Sequence, residues 1–257
     1  GFAFLAARVQ LKNDTEFPRF TQHLLEMVYP HYLVPTPSMA VVQFQPDTKE
    51  GALADGFVIA RGSVLRVPLA KGEQTPCEYR TAHDVTLWPV EVAQVEYFTH
   101  ARDFGKLDPA ILQKTRGGLR LRLRATAGLT FDQMSMDTLN FHLRGGEVAM
   151  RVYEQLFANS VAVVVRPTGA QSPWQEVLDR SCIKPVGFED REALLPYGAR
   201  SLQGYRLLHE YFAFPDRYMF AEIGGLSPAI RRCKAAEIDL VILLDKGDIT
   251  LQNVLDP

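Results

Sequence analysis

The sequence predicts an α+β protein. It should hold an N-terminal helical segment, mainly-β domains with a βαβ-like unit, and a buried junction helix leading into a further, truncated β unit. Three observations carry this. Apolar residues recur at helical spacing near the N-terminus and again in Ser201–Phe220. From Met39 to about Tyr97, short β-rich runs alternate with turn residues. Val161–Val165 and Leu240–Leu244 are apolar runs of strand length, well short of the ~18 residues a membrane span needs. The 257 residues allow one large domain or two modest ones. With 47% hydrophobic and 23% charged residues, the composition is that of a globular chain.

Five segments are expected in order. Residues 1–38 form an N-terminal helical segment. Phe2, Leu5 and Val9 share a helical face, and a break is expected near Asn13-Asp14-Thr15. Asp14 or Thr15 would cap a second helix with Pro18 in its first turn. Pro30, Pro35 and Pro37 bar further helix. Residues 39–105 form a β domain with strands at Ala40–Phe44, Val64–Leu69 and Tyr79–Thr81. Val90 and Val92 alternate, as do Val95 and Tyr97, but the two sets are out of phase, which predicts a β-bulge near Ala93–Gln94. Residues 106–168 form a second α/β unit: strand Leu119–Arg124, strand Leu139–Leu143, helix Glu147–Ala158 and strand Val161–Arg166. Asn159 is the expected left-handed stop of that helix. Residues 169–200 read as a linker. Residues 201–257 hold the junction helix and the start of the next β domain, whose strand Asp239–Leu244 has no following element to pair with. Both ends of the chain read as cut.

The junction helix stands out. Leu202, Tyr205, Leu207, Leu208, Tyr211, Phe212 and Phe214 cover about two-thirds of its circumference, and Gln203, Arg206 and Glu210 share a narrow polar stripe. Packing on one core needs an apolar face of ~100°, so burial on more than one side is expected, between two domains or two chains. If fully buried, Tyr211→Ala or Phe212→Ala should cost about 3–5 kcal/mol.

Chemistry is sparse. His209-Glu210 opens like the helical zinc motif H-E-x-x-H, but Ala213 stands where the second ligand would be. Ser181-Cys182-Ile183-Lys184 matches S-x-x-K, in which lysine activates a serine nucleophile, yet neither S-D-N nor K-T-G occurs. A serine hydrolase using Ser181 and Lys184 is therefore the rival reading from another class. Gly117-Gly118 and Gly145-Gly146 read as turn glycines. Arg120, Arg122 and Arg124 alternate with leucines and project from one sheet face. They form either a docking ridge, as in a basic-surface binding module, or the ordinary solvent face of an antiparallel sheet. The latter is favoured, and the lack of aromatics between the arginines further weakens single-strand nucleic-acid binding. A net charge of −2 gives no general attraction to nucleic acid or anionic membrane. Three cysteines far apart suit a reducing compartment, so the cytoplasm is expected. Neither a cofactor nor catalysis is called for.

Gly204, Tyr205, Arg206, Leu207, Leu208, Glu210, Tyr211, Phe212, Ala213, Phe214 and Pro215 resemble the GYRLL-x-EYFAFP signature of the TssF (VasA/ImpG) family. Phe4–Lys12, Glu16–Pro18, Leu25–Pro37, Thr81–Trp88, Ile183–Phe188 and Leu194–Tyr197 extend the resemblance in family order. The region between Leu69 and Leu87 also resembles, at fold level alone, β domains of wedge proteins in contractile phage tails. The TssF resemblance implies an internal, N-proximal portion of a non-enzymatic wedge scaffold in the baseplate of a type VI secretion system. There it would surround the hub and spike and support sheath assembly and contraction, near the inner-membrane complex. The partners it implies are another copy of the chain, TssG, TssK, TssE and the hub or spike. The signature-helix residues are the expected interface anchors.

Overall fold

The computed structural model describes residues 1–47, 53–68, 72, 75–100, 107–169, 172–199 and 201–257. Leu69 and the stretch 101–106, both within expected segments, lie outside these. The chain opens with α1 (Phe2–Val28) and a 3-10 turn, Pro30–Leu33. Short strands β1 (Phe57–Ile59), β2 (Val64–Arg66), β3 (Glu78–Arg80) and β4 (Val85–Leu87) precede the longer β5 (Val90–Phe98). Then come α2 (Pro109–Lys114), β6 (Gly117–Ala125), β7 (Leu139–His142), α3 (Glu147–Ala158) and β8 (Ser160–Pro167). They are followed by β9 (Glu176–Asp179), β10 (Ile183–Pro185), α4 (Gln203–Ala213), β11 (Phe220–Ile223), α5 (Ser227–Arg232) and β12 (Glu237–Leu244). The mixed α+β class is as expected, and the chain groups into two units that are each discontinuous in sequence.

The larger unit, Val42–Gly187 with Met219–Pro257, is built on a five-stranded antiparallel sheet ordered β5-β6-β12-β8-β9. Its centre is β12, the strand read as having no following element to pair with. It pairs with β6 on one side (Leu240 opposite Leu121) and β8 on the other (Val241 opposite Val164). The partners precede it in the chain, so the sheet closes only when its last strand arrives. Ile238, Leu240, Ile242 and Leu244 point into the main core with Leu119, Leu121, Leu123, Val163 and Val165. Val241 and Leu243 join a second cluster with Phe98, Leu107 and Val164. Burial on both faces explains the unbroken apolar run. The predicted bulge is present: pairing with β6 passes from Val92 opposite Leu123 to Gln94 opposite Arg122, skipping Ala93.

Several expectations are corrected here. The βαβ-like unit is not a crossover, because β7 belongs to a separate three-stranded sheet, β10-β11-β7, and β8 to the five-stranded one. A true crossover returns to the same sheet in parallel; among the described residues every pairing is antiparallel. Helix α3 instead links two sheets, and buries Ala149, Val152 and Leu156. Asn159 ends it at φ −117°, not left-handed. Gly145 and Gly146 do make a turn at positive φ. Gly117 and Gly118, however, begin β6. A Cβ on Gly118 would lie 2.7 Å from the Ile242 carbonyl oxygen, so close approach of β12 requires the glycine. Ala40–Phe44 is not a strand, and the expected linker contains β9 and β10.

The smaller unit comprises Gly1–Val41 and Phe188–Tyr218. Its α1 runs unbroken through Pro18. The residues expected to cap a second helix bond within the first. The Gln10 amide donates to Asp14 Oδ1 at 3.2 Å, and the Thr15 hydroxyl donates to the Leu11 carbonyl at 2.6 Å. Pro30 opens the 3-10 turn, where its missing N–H costs nothing. At ~100° per residue, Phe2, Leu5, Val9, Phe20, Leu24 and Met27 share one face of α1, and all are exposed.

Candidate protein-docking site

Helix α4 carries the signature residues. Leu202 precedes it in extended backbone without a side-chain cap, and Pro215 follows its last turn, where the helix must stop. Among the described residues, a Cβ on Gly204 would meet Leu202 alone, at 3.8 Å, an ordinary contact that does not require a glycine. The burial of α4 is the reverse of what its composition suggests. Arg206 and Glu210, from the narrow polar stripe, are 0% exposed. Leu202, Tyr205, Leu208, Tyr211 and Phe212 are exposed, Phe212 at 80%. Leu207, Gly204 and Phe214 are half-buried and Pro215 is exposed. The expected burial of the wide apolar arc is thus not supplied by this chain. The reason lies in the neighbours of the polar stripe.

Those neighbours are backbone groups of residues 188–195. Glu210 Oε1 accepts from the amides of Leu194 and Leu195 at 2.9 and 3.0 Å, and Oε2 accepts from Arg206 Nη1 at 3.0 Å. Arg206 Nη2 donates to the carbonyls of Phe188 and Glu189 at 3.3 and 3.4 Å, and its guanidinium lies 5.6 Å from the Tyr197 ring centroid. Arg217, also buried, donates to the Glu192 carbonyl. Burial holds its guanidinium below the usual arginine range, against the pull of Glu210 and Glu192. The Tyr218 hydroxyl donates to the Leu207 carbonyl at 3.2 Å, and burial together with the Glu210 carboxylate pushes its pKa up to about 12.

On the other side of α4, His209 joins the helix to the end of α1. Its Nδ1 pairs with the Tyr29 hydroxyl and its Nε2 with the Thr36 hydroxyl, both at 3.2 Å. The Tyr29 ring packs against those of Tyr205 and His209, with centroids 5.8 and 5.9 Å apart. Burial raises the Tyr29 pKa, with Glu210 adding to the shift. Beside this cluster lies an open apolar groove of about 840 Å³, lined by Leu24, Val28, Tyr32, Leu208 and Phe212. Sequence reasoning singled out α4 but not Tyr29, Thr36 and the α1 residues that complete this surface. The exposed Leu24 and Met27 on one α1 face were the available signal.

The other candidates are dispersed. Arg120 pairs with Glu96; Arg122 forms a two-pronged bridge to Asp239 at 2.8 and 3.3 Å; Arg124 reaches Glu237 at 2.9 Å and Glu91 at 3.4 Å. The candidate docking ridge is a ladder of cross-strand ion pairs, which also explains how Asp239, 1% exposed, sits in an apolar strand. Ser181 and Lys184 are both exposed, in a 3-10 turn and on β10. Ser181 engages Asp179 through its amide at 2.9 Å and its hydroxyl, which hold the Asp179 carboxyl below the usual range. With Glu210 bound to Arg206 and both His209 nitrogens engaged, the incomplete zinc motif is a set of internal bonds. Among the described residues no group of three or more His, Cys, Asp or Glu is arranged to hold a metal. All three cysteines are free.

Exposed apolar side chains gathered on two helices, above buried and paired charges, form the kind of surface that protein–protein sites use. All 257 residues match the family model described as type VI secretion system, TssF, and the chain belongs to that family. A relative from Pseudomonas aeruginosa, named type VI secretion system component TssF1, is 52% identical over 258 residues; the match covers all of this chain and 41% of the relative. A solved structure of a TssK-TssF-TssG baseplate subcomplex contains a chain similar at a TM-score of 0.70 and 24% identity. That match spans all of this chain and 45% of the other, and it shows the fold. The chain thus spans less than half the length of the relatives it matches.

Proposed function

We propose that this chain is part of a structural, non-enzymatic wedge component of a type VI secretion baseplate. The whole-chain match to the TssF family carries the reading. The signature helix α4, with Tyr205, Leu208, Tyr211 and Phe212 turned outward, and the apolar face of α1 are the surfaces proposed to meet partners. An isolated helix with such a face is marginal in water and gains most of its stability from packing, so both helices favour an assembled state. TssG and TssK, the companions of TssF in the similar baseplate subcomplex, are proposed as partners. A second copy, TssE and the hub or spike follow from family resemblance. The setting would be the cytoplasmic face of the inner membrane; among the described residues no helix is long and apolar enough to cross a membrane. The mechanism is mechanical: packed interfaces with two discrete arrangements hold a ready state and rearrange when the sheath contracts.

Co-expression of the full-length protein with its TssG partner, followed by co-purification and light-scattering mass, tests this. A stable complex that is lost in a Leu208→Asp/Phe212→Asp variant supports the reading. Two folded proteins that ignore each other at micromolar concentration would sink it.

A further inference from the structure

We infer that Arg206, Glu210 and Arg217 form an ionic clasp that holds residues 188–195 on α4 and can open without unfolding the larger unit. This strap lacks the usual means of satisfying its backbone. Its 3-10 turn, Asp190–Glu192, uses local bonds: the Glu192 amide to the Glu189 carbonyl at 3.0 Å, and the Glu189 amide to Glu192 Oε2 at 3.2 Å. Past that turn the Leu194 and Leu195 amides have a carboxylate as acceptor, and the carbonyls of Phe188, Glu189 and Glu192 have guanidinium donors. A buried amide or carbonyl left unpaired is costly, so three charged side chains stand where a helix or sheet ladder would otherwise be.

The position of the clasp gives it a role. The chain enters the smaller unit at Gly187/Phe188 and leaves it at Tyr218/Met219. Within the smaller unit, Phe188 and Tyr218 are in ring contact with centroids 4.9 Å apart, and the clasp binds the backbone of the first and lies beside the second. Two of the three crossings, the other being at Val41/Val42, are therefore flanked by one polar cluster.

Its energetics lower the cost of opening. Buried charges gain attraction from one another but forfeit hydration, so water entering the cluster returns part of what opening loses. Arg206 Nε and Arg217 Nε are buried without a hydrogen-bond partner among the described residues, so the network is incompletely satisfied. The core around β12 has no such recovery, since exposing Leu240 or Ile242 to water returns nothing. Local opening of the strap should therefore occur well below the cost of global unfolding.

Hydrogen exchange on the full-length protein decides the matter. In Glu210→Gln, which keeps the shape and removes the charge, the Leu194 and Leu195 amides should exchange about 100-fold faster, with β12 amides unchanged. If Glu210→Gln does not fold, Arg206→Lys serves. It keeps the charge but loses the fork to the two carbonyls, and should accelerate the same amides about 10-fold. Wild-type exchange at Leu194 and Leu195 in a folded variant would overturn the clasp. So would equal acceleration at β12, which would make strap and sheet one cooperative body. This readout needs no partner, so it can succeed where the co-purification test fails, and the reverse.

Discussion

Helices α3 and α4 are nearly the same length and both are amphipathic, yet they bury opposite sides. Helix α3 turns Ala149, Val152 and Leu156 inward, where β8 and β12 offer Val163, Val165 and Leu240. Helix α4 turns Arg206 and Glu210 inward and leaves Tyr205, Leu208, Tyr211 and Phe212 open. The difference lies in what each helix finds beside it. An apolar sheet face takes apolar side chains. A strap of irregular backbone takes charged ones, because only they can reach its unpaired amides and carbonyls. Hydrophobic patterning locates a helix face, but the neighbouring backbone decides which face goes in.

Four measurements would break or sharpen this contrast. The largest effect is expected from Arg206→Met, which leaves the Glu210 carboxylate buried without its cation. Breaking one partner of a buried pair should cost about 3–5 kcal/mol in denaturant unfolding, and a loss below 1 kcal/mol would show that the pair is not what α4 rests on. On α3, Leu156→Ala should cost about 2–5 kcal/mol, the ordinary range for a buried leucine at 4% exposure.

Next comes alkali. Tyr218 holds its proton more tightly in the folded protein, where its pKa is about 12. Free tyrosine titrates near 10. Its contribution is therefore complete below about pH 10 and declines as the pH rises toward 12, by up to about 2 kcal/mol. The decline should be absent in Tyr218→Phe; equal alkaline losses in both proteins would assign the sensitivity elsewhere. The smallest effect is expected at Leu208, 59% exposed: Leu208→Ala should change the stability of the free protein by under about 0.5 kcal/mol. The same reasoning replaces the 3–5 kcal/mol that full burial would imply at Tyr211 and Phe212. A large loss at Leu208 without any partner would mean that the outward face of α4 is internally packed after all.

Local pattern was legible where neighbours in sequence settle the outcome. Helix α3 has the bounds its periodicity predicts, and the bulge at Ala93 follows from two alternating sets out of phase. The signature from Gly204 to Pro215, with segments spread through the chain, indicated the TssF family that the whole-chain match shows. Proline rules misled at Pro18, because Gln10 and Thr15 bond within α1 rather than supporting a new start.

The sequence by itself determined the α+β class, the family and the positions of many elements, α4 among them. Tertiary structure alone decided the rest. It placed β12 between β6 and β8, closed Arg120, Arg122 and Arg124 against carboxylates on β5 and β12, and turned α4 charged side inward. Each of these joins residues from distant parts of the chain or backbone groups without a regular partner. Periodicity records only which side chains share a face. It does not record which donors and acceptors that face will meet, and for charged groups leaving water those partners decide whether burial is tolerated.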